Sequence, residues 1–365
     1  MSKENSETNN KNRRSFLRGT LAAGAAVAGA SVLGSQSVLA QNSVKLAPGD
    51  IAILRFLAAA ELIEADLWQQ YAELGGVTTG AQNAYQLALQ QLDGDGSQYI
   101  SSNTLDEQSH AQFLNAYLAM HGAQPVNLDE FRILPSSQAA GAQQIPRLTN
   151  LTQLTIDTSW YTRYRSAQNP DFGATFPQAI PQLASGQFAA IPKTNADFGP
   201  ADHVQALANT AAFHFGFIEQ GGSSLYATLA HKVESAQVLR IVLSIGGDEV
   251  AHFLEWVDFA GNGVQTPIAP LTDPITGLVF PDFNATGDPL LQTNLIFPVP
   301  CEFISPALPR CAVIRPTSQG QIDAVGAVHA FVGSGLFIGQ PPIFSELLLD
   351  MAVAADSAVR LALLP

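Results

Sequence analysis

The stretch GGDEVAHFLEW, residues 246–256, places Glu249 and His252 three residues apart within a strongly apolar helical pattern. Side chains at this spacing lie on one face of a helix, so the carboxylate and the imidazole can reach the same ion. A stretch farther upstream, DEQSHAQFL, repeats the pattern with Glu107 and His110. A single Glu-x-x-His is common on helix surfaces by chance, but two copies in one chain favour a shared metal site.

Two further helical segments carry acidic residues among apolar neighbours, one ahead of each Glu-x-x-His. The segment AAAELIEADLW offers Glu61 and Glu64, and the segment FGFIEQGGSSLY offers Glu219. Burying several carboxylates is costly unless they are paired or coordinated, and two divalent cations would provide that compensation. A Glu helix followed by a Glu-x-x-His helix, occurring twice, therefore predicts one metal site built from four helices.

Helical patterns and the distribution of Gly and Pro divide the chain into a bundle and two irregular parts. Residues 123–199 are rich in Pro, Gln, Asn, Thr and Gly, and predict an irregular insertion without a core of its own. Residues 263–365 predict a Pro/Gly-rich C-terminal extension with a terminal helix. The bundle domain is predicted over residues 41–262, with helices at about 50–74, 98–121, 201–230 and 233–260.

The four helical segments resemble the ferritin-like domain family, which includes exported bacterial proteins, desiccation-related plant proteins and stress-related fungal proteins. The resemblance covers roughly residues 50–122 and 200–261. It implies an all-α fold, a ferritin-like four-helix bundle, here with the long insertion between its second and third helices. It also implies a di-iron or di-manganese centre held by four carboxylates and two imidazoles. These donors suit iron first and manganese second, and zinc stays an alternative.

In that family the first helix typically reads Leu-Glu-x-Leu-Glu-Ala, with an aromatic residue seven positions after the first Glu. This resemblance assigns the ligand role to Glu61, followed by Trp68, and Glu219 stands in the same relation to Tyr226. Glu64 is the second choice. Trp68 replaces the more usual Tyr, which puts any hydrogen-bonding or radical-forming role of that position in doubt. The predicted metal ligands are Glu61, Glu107, His110, Glu219, Glu249 and His252. Glu107 and Glu249 are expected to bridge two ions, and Glu61 and Glu219 to cap or bridge them.

The N-terminal segment, residues 1–40, resembles a twin-arginine export signal. The stretch NRRSFLRG contains Arg13 and Arg14, an apolar run follows, and Val38-Leu39-Ala40 offers a cleavage site. The resemblance implies export after folding, often with a cofactor bound, to a periplasmic or extracellular location. The apolar run is too short and too rich in Gly and Ala for a stable membrane span. Outside the cytoplasm, Cys301 and Cys311 could form a disulfide, and the sequence leaves this open.

The charge balance narrows the range of partners. The formal net charge is −14, and the predicted signal carries five of the Lys and Arg residues, so the predicted mature chain is more acidic still. Nucleic acid is therefore not an expected partner. The expected partners are metal ions and an unknown small-molecule substrate, and a homo-oligomer stays open. A storage cage is not expected, because the insertion and the extension would obstruct close subunit packing.

Three classes of function follow from these patterns. The first is a di-metal oxidoreductase that oxidises ferrous iron or a small substrate with oxygen or peroxide, or that breaks down peroxide with manganese. The second is a non-enzymatic stress or desiccation-related envelope protein with a structural or lost metal site. The third is a carbohydrate-binding module built on Trp160, Tyr161 and Tyr164. Other expectations concern single residues: His214 is predicted to pack near the ligands without binding metal, and Asp248 to face solvent or to orient a ligand.

Overall fold

The computed structural model describes residues 45–164, 176–263, 269–282, 298–299, 305–312 and 323–360. Within these ranges the chain is mostly helical, and its strands are limited to two short antiparallel pairs. The pairs are β1 (Leu271–Thr272) with β2 (Val279–Phe280), and β3 (Pro298–Val299) with β4 (Cys311–Ala312). The predicted all-α class is confirmed.

Two sequence predictions concern residues that the structure does not describe. The predicted export signal, residues 1–40, and Cys301 both lie outside the described ranges. Export and the disulfide therefore stay predictions. Among the helices that the structure does describe, none combines the length and the hydrophobicity that a membrane crossing requires.

Four long helices form the bundle, and long helices that follow one another in the chain pack together as two pairs. The first helix packs against the second long helix, and the third packs against the fourth, while the second and fourth are in contact between the pairs. A short helix, α2, contacts all four of them. The long helices are α1 (Pro48–Gly75), α3 (Gly96–Met120), α6 (Ala201–Ala230) and α7 (Ala236–Gly263), and α2 spans Ala84–Leu92.

Local sequence signals account for several helix ends. Pro48 begins α1, where a missing backbone N–H costs nothing. Asn83 caps α2, because its side-chain oxygen accepts a hydrogen bond from the backbone N–H of Gln86. Asp50, buried in the first turn of α1, accepts the backbone N–H groups of Glu234 and Ser235 just before α7. This carboxylate ties the start of α1 to the connection between α6 and α7.

An aromatic cluster fills the bundle core between the two helix pairs. Trp68 on α1 stacks on Trp256 on α7, with ring centroids 5.2 Å apart, and Phe215 on α6 packs against both. Such pairs contribute roughly 0.5–1.5 kcal/mol each beyond the burial of their surface. Trp68 and Trp256 lie seven residues, or about two helical turns, after Glu61 and Glu249. The cluster therefore supports the bundle close to the acidic residues.

The insertion packs onto the bundle and shares its hydrophobic core. Asp66 on α1, buried, accepts hydrogen bonds from the backbone N–H groups of Leu148 and Thr149 and pairs with Arg132 at 2.7 Å. The insertion contains only short elements, in agreement with the irregular segment that the sequence predicts. They are α4 (Ser159–Tyr164), α5 (Pro181–Ser185) and two single 3-10 turns, Asp129–Phe131 and Asn195–Phe198.

The carbohydrate-binding alternative is wrong for the side chains that the structure describes. Trp160 and Tyr161 are fully buried and pack against Phe213 of α6. Trp160 also lies where a side chain at Gly216 would be. Because a sugar-stacking platform must be exposed, these aromatic residues serve the core instead.

The described part of the C-terminal extension contributes two helices. These are α8 (Ala324–Gly333) and α9 (Pro342–Asp356), and α9 packs against both α8 and α1. Lys232, just after α6, pairs with Asp356 at 2.9 Å. The extension thus covers the outer face of the first bundle helix.

Candidate metal centre

The structure brings the six predicted ligand residues together in the middle of the bundle. They form two overlapping groups, and within each group the ligand atoms all lie within 4.8 Å of one another. All six residues are buried. The first group is Glu61, Glu107, His110 and Glu249, and the second is Glu107, Glu219, Glu249 and His252.

The buried glutamates differ in whether they belong to both groups, to one group or to neither. Glu107 and Glu249 belong to both groups, so their positions suit residues that bridge two ions. Glu61 and Glu219 belong to one group each, as terminal ligands would. Glu64, the second choice for the first helix, belongs to neither group. The spacing of three residues in each Glu-x-x-His brings both of its side chains to the centre of the bundle.

Both histidines direct the Nδ1 atom towards the carboxylates. Nδ1 of His110 lies 3.3 Å from Oε2 of Glu61 and 3.3 Å from Oε2 of Glu107. Nδ1 of His252 lies 3.1 Å from Oε1 of Glu107 and 3.5 Å from Oε2 of Glu219. The Nδ1 atoms are therefore placed as metal donors.

The Nε2 atoms of the same histidines point to two aspartates in a crossed arrangement. Nε2 of His110 on α3 lies 3.1 Å from Oδ2 of Asp248 on α7, and Nε2 of His252 on α7 lies 3.4 Å from Oδ2 of Asp106 on α3. A carboxylate on the second ring nitrogen orients a histidine ligand and strengthens its donor atom. The full motif is thus Asp-Glu-x-x-His, and each Asp serves the histidine of the other helix.

Of these two aspartates, the sequence indicated only Asp248. Orienting a ligand was one of its two predicted roles, and in the structure this half-exposed side chain contacts Nε2 of His110. Sequence reasoning missed Asp106. The signal was present, because an Asp precedes the Glu in both motifs.

Several buried carboxylate oxygens form no hydrogen bond within the described part of the chain. They are Oε2 of Glu61, Oε2 of Glu219 and both oxygens of Glu249, and three of the four have a histidine Nδ1 only at 3.3–3.5 Å. A buried polar atom without a partner costs roughly 1–3 kcal/mol, and more when it is charged. Two divalent cations would give all four oxygens a partner, so the residues present fit a two-metal site.

The raised pKa values in the cluster indicate that bound metal ions would replace protons. Burial, reinforced by the negative charge of Glu219, raises the pKa of Glu107 to about 8. Burial and the charge of Glu107 raise the pKa of Glu249 well above its ordinary value. Burial alone would lower the pKa of His110, but the carboxylates around it outweigh this effect and raise that pKa. The cluster without metal therefore retains protons at neutral pH, and a bound metal would displace them.

The hydrogen bonds to the two terminal carboxylates differ between the halves. The hydroxyl of Tyr226 donates to Oε1 of Glu61. Trp68, at the corresponding position of the other half, has an Nε1 atom without a hydrogen bond in the described structure. Asn103 takes over this role: its Nδ2 donates to Oε1 of Glu219 at 3.1 Å and to Oε1 of Glu107 at 2.7 Å.

Asn103 is itself held in place from the aromatic cluster. Nε1 of Trp256 donates to Oδ1 of Asn103 at 2.7 Å. Sequence reasoning missed Asn103, although its position four residues before Glu107 puts it on the same helical face. The departure from Tyr at position 68 is thus compensated from another helix.

His214 lies outside both ligand groups, in agreement with its predicted packing role. It is fully buried, and its Nδ1 lies 2.8 Å from the hydroxyl oxygen of Tyr71. Burial lowers the pKa of His214 to about 3, so the ring is neutral. A neutral ring can accept the phenolic hydrogen bond in the core.

Two neighbouring glycines on α6 have different structural reasons. A Cβ atom at Gly222 would lie 2.2 Å from Oε2 of Glu249, whereas a Cβ atom at Gly221 would meet nothing within 4 Å. Gly222 therefore makes room for the carboxylate of Glu249. Gly221 leaves open space beside the helix.

The different surroundings of Gly222 and Gly221 allow a test of the fit at Glu249, with Gly221→Ala as the matched control. We expect Gly222→Ala to displace the Glu249 carboxylate and to lower the metal content of the purified protein by at least about half. Gly221→Ala should leave the metal content unchanged and stabilise the protein by about 0.5–1 kcal/mol, through higher helix propensity. Elemental analysis and thermal unfolding measure both effects. Full metal content in Gly222→Ala would contradict the tight fit at Glu249.

Comparison with known proteins adds one match. A family profile described as the ferritin-like domain matches residues 49–256, which is more than half of the chain and includes all six residues of the two groups. Neither the curated proteins nor the solved structures gave a match.

Proposed function

Since the chain belongs to the ferritin-like domain family, we propose that it binds two metal ions in the bundle and uses them in oxidation. The substrate is ferrous iron or a small molecule, and the oxidant is oxygen or peroxide. One observation carries the proposal: two four-residue groups share Glu107 and Glu249, so that two ions can be held side by side. A pair of iron ions, with manganese as the alternative, supplies two electrons from adjacent positions.

The ligand roles in this proposal follow from group membership. In the proposed centre Glu107 and Glu249 would contribute to both ions, and Glu61 and Glu219 would each contribute to one. Nδ1 of each histidine completes one ligand set. Support comes from the buried carboxylate oxygens without hydrogen bonds, which require a partner inside the bundle.

The remaining residues hold the ligands in place. Asp106 and Asp248 orient the two imidazole rings through their Nε2 atoms. Tyr226 and Asn103 hold the terminal carboxylates. Because all ligand side chains are buried, bulk water is kept from the reacting atoms, which strengthens electrostatic interactions there.

We further propose that the chain is exported already folded and with metal bound. The twin-arginine pattern around Arg13 and Arg14 supports this proposal. Loading before export would fix the choice of metal in the compartment of synthesis. Export would place the oxidation chemistry in the periplasm or outside the cell.

The test is oxidation of ferrous iron, with oxygen or with peroxide, by the metal-loaded protein. We expect the wild type to oxidise ferrous iron faster than free iron reacts in the same buffer. The double variant Glu107→Ala/Glu249→Ala should fall to the rate of free iron, because both bridging positions are lost. Glu234→Ala, which changes an exposed acid near the start of α7, is the control and should behave as the wild type.

Peroxide consumption by the manganese-loaded protein is measured in parallel. Activity with manganese and peroxide alone would assign the centre to peroxide breakdown. Inactivity of a fully metal-loaded wild type in all of these assays, and in a parallel assay for the oxidation of small organic molecules with oxygen or peroxide, would contradict the oxidoreductase proposal. The metal would then be structural, as in the alternative of a non-enzymatic stress-related protein.

A further inference from the structure

A cavity of about 290 Å³ lies beside the candidate metal centre. Its walls come from α1 and α6 of the bundle, from α4 of the insertion and from α8 of the C-terminal extension. The insertion and the extension thus supply walls of a partly open pocket that the bundle alone does not form. A cavity of this size fits a small organic molecule.

The cavity and the centre share a wall that is one helix backbone thick. Gly222 lines the cavity, and the position of a Cβ atom at Gly222 is 2.2 Å from Oε2 of Glu249. Glu64 also lines the cavity, three residues after Glu61 on the same helix. A molecule in this cavity would therefore lie next to a bridging carboxylate.

Glu64 is an unusual wall residue, because only 4% of its surface is exposed. Within the described residues its carboxyl group forms no hydrogen bond and no ion pair. Burying such a group is unfavourable without a partner, so its position points to a polar group on a bound molecule.

Other polar side chains in the wall have partners, and they include the buried Arg163, although its Nε atom forms no hydrogen bond. Gln178 donates to Oδ1 of Asp157 at 2.8 Å and accepts the backbone N–H of Thr158. Nε2 of Gln220 donates to Ser224. The apolar part of the wall includes Leu225, Ala327 and Phe331. The cavity therefore combines an apolar surface and the buried Arg163 with the carboxyl group of Glu64, which has no hydrogen bond or ion pair among the described residues.

We propose that this cavity binds the organic substrate of the centre, a small and largely apolar molecule whose hydroxyl group forms a hydrogen bond with Glu64. The inference rests on the proposed function, and it selects a small alcohol or phenol over ferrous iron as the substrate. A hydroxyl group can donate to a carboxylate and accept from a carboxylic acid, so it matches Glu64 in either state. Gly221 provides space for the molecule because it carries no side chain.

The first experiment measures binding of two probes that differ by one hydroxyl group, benzyl alcohol and toluene. Each is titrated into the full-length protein, as purified and after chelation, and followed by ligand-observed NMR. We expect benzyl alcohol to bind at least about tenfold more tightly than toluene, which corresponds to one buried hydrogen bond to an acidic group. Glu64→Leu should remove this preference while toluene still binds.

The second experiment fills the cavity. Gly221→Leu places a side chain in it, and Ala327→Leu fills it from the opposite wall in case the first variant folds poorly. Both should abolish binding of benzyl alcohol. Gly247→Leu is the matched control, because Gly247 lies on α7 outside this cavity and a Cβ atom there also meets nothing within 4 Å.

Three results would overturn the inference. The wild type could bind neither probe, the filled variants could bind benzyl alcohol as the wild type does, or Glu64→Leu could keep the preference for the alcohol. Failure of the proposed function is separate, because metal content is measured on the same samples. Probe binding in a protein that takes up no metal would contradict the metal centre, and only the binding of a small alcohol by the cavity would stand.

Discussion

Glu249→Ala is expected to lower the metal content of the purified protein from about two ions per chain to well below one. The reason is that Glu249 belongs to both ligand groups, so its removal takes a donor from each ion. Glu107→Ala should have the same effect. Glu61→Ala, which removes a residue of one group only, should retain about one ion per chain.

Elemental analysis by mass spectrometry measures these contents directly, with circular dichroism as the check that each variant is folded. The control is Glu234→Ala, in which an exposed acid is lost and the metal content should equal that of the wild type. Equal metal contents in Glu249→Ala and Glu61→Ala would contradict the distinction between bridging and terminal carboxylates. Less than about a tenth of an ion in the wild type would contradict the centre itself.

The stability of the metal-free protein is expected to fall as the pH rises from 6 to 8, and bound metal should remove most of this loss. The pKa of Glu107 is about 8 in the folded metal-free protein, against 4.5 for an ordinary Glu. Between these values the folded state holds a proton that the unfolded state has released, so stability decreases with rising pH. The raised pKa values of His110 and His252 act in the same direction above their ordinary value of 6.5.

For one proton the expected loss is about 2 kcal/mol over these two pH units, a decrease of roughly 5 °C in the melting temperature. Metal ions displace the retained protons, so their stabilising effect should grow with pH. Thermal unfolding of chelated and metal-loaded samples at pH 6, 7 and 8 measures both trends. Glu107→Gln should give a shallower slope in the chelated form. A melting temperature of the chelated wild type that rises with pH would contradict the buried acidic cluster.

The fold and the clustering of the predicted ligand residues could be predicted because their signals are local. A spacing of three residues fixes Glu249 and His252 on one helical face whatever surrounds the helix. The choice between Glu61 and Glu64 is different. Both are buried and lie on neighbouring turns, and only packing against the other helices places Glu61 within a four-residue group and Glu64 outside both groups.

The missed residues depend on contacts between distant segments. Asn103 reaches Glu219 on another helix, and its importance follows from the Trp at position 68. The insertion is anchored by Asp66 through backbone groups that no sequence pattern identifies. The position of Trp160 could not be predicted either, because an aromatic residue suits an exposed sugar-binding surface and a hydrophobic core equally well. Its contacts with α6 decide between the two.

The hydrogen bonds at Glu61 and Glu219 differ, so the two ends of the candidate centre are not equivalent even though the sequence motifs are repeated. A phenol holds Glu61, whereas an amide that is itself fixed by an indole holds Glu219. Two ions bound here would be inequivalent, with different affinities and different reduction potentials. The two halves match in the residue types of the cluster, but they differ in the groups that hydrogen-bond to them.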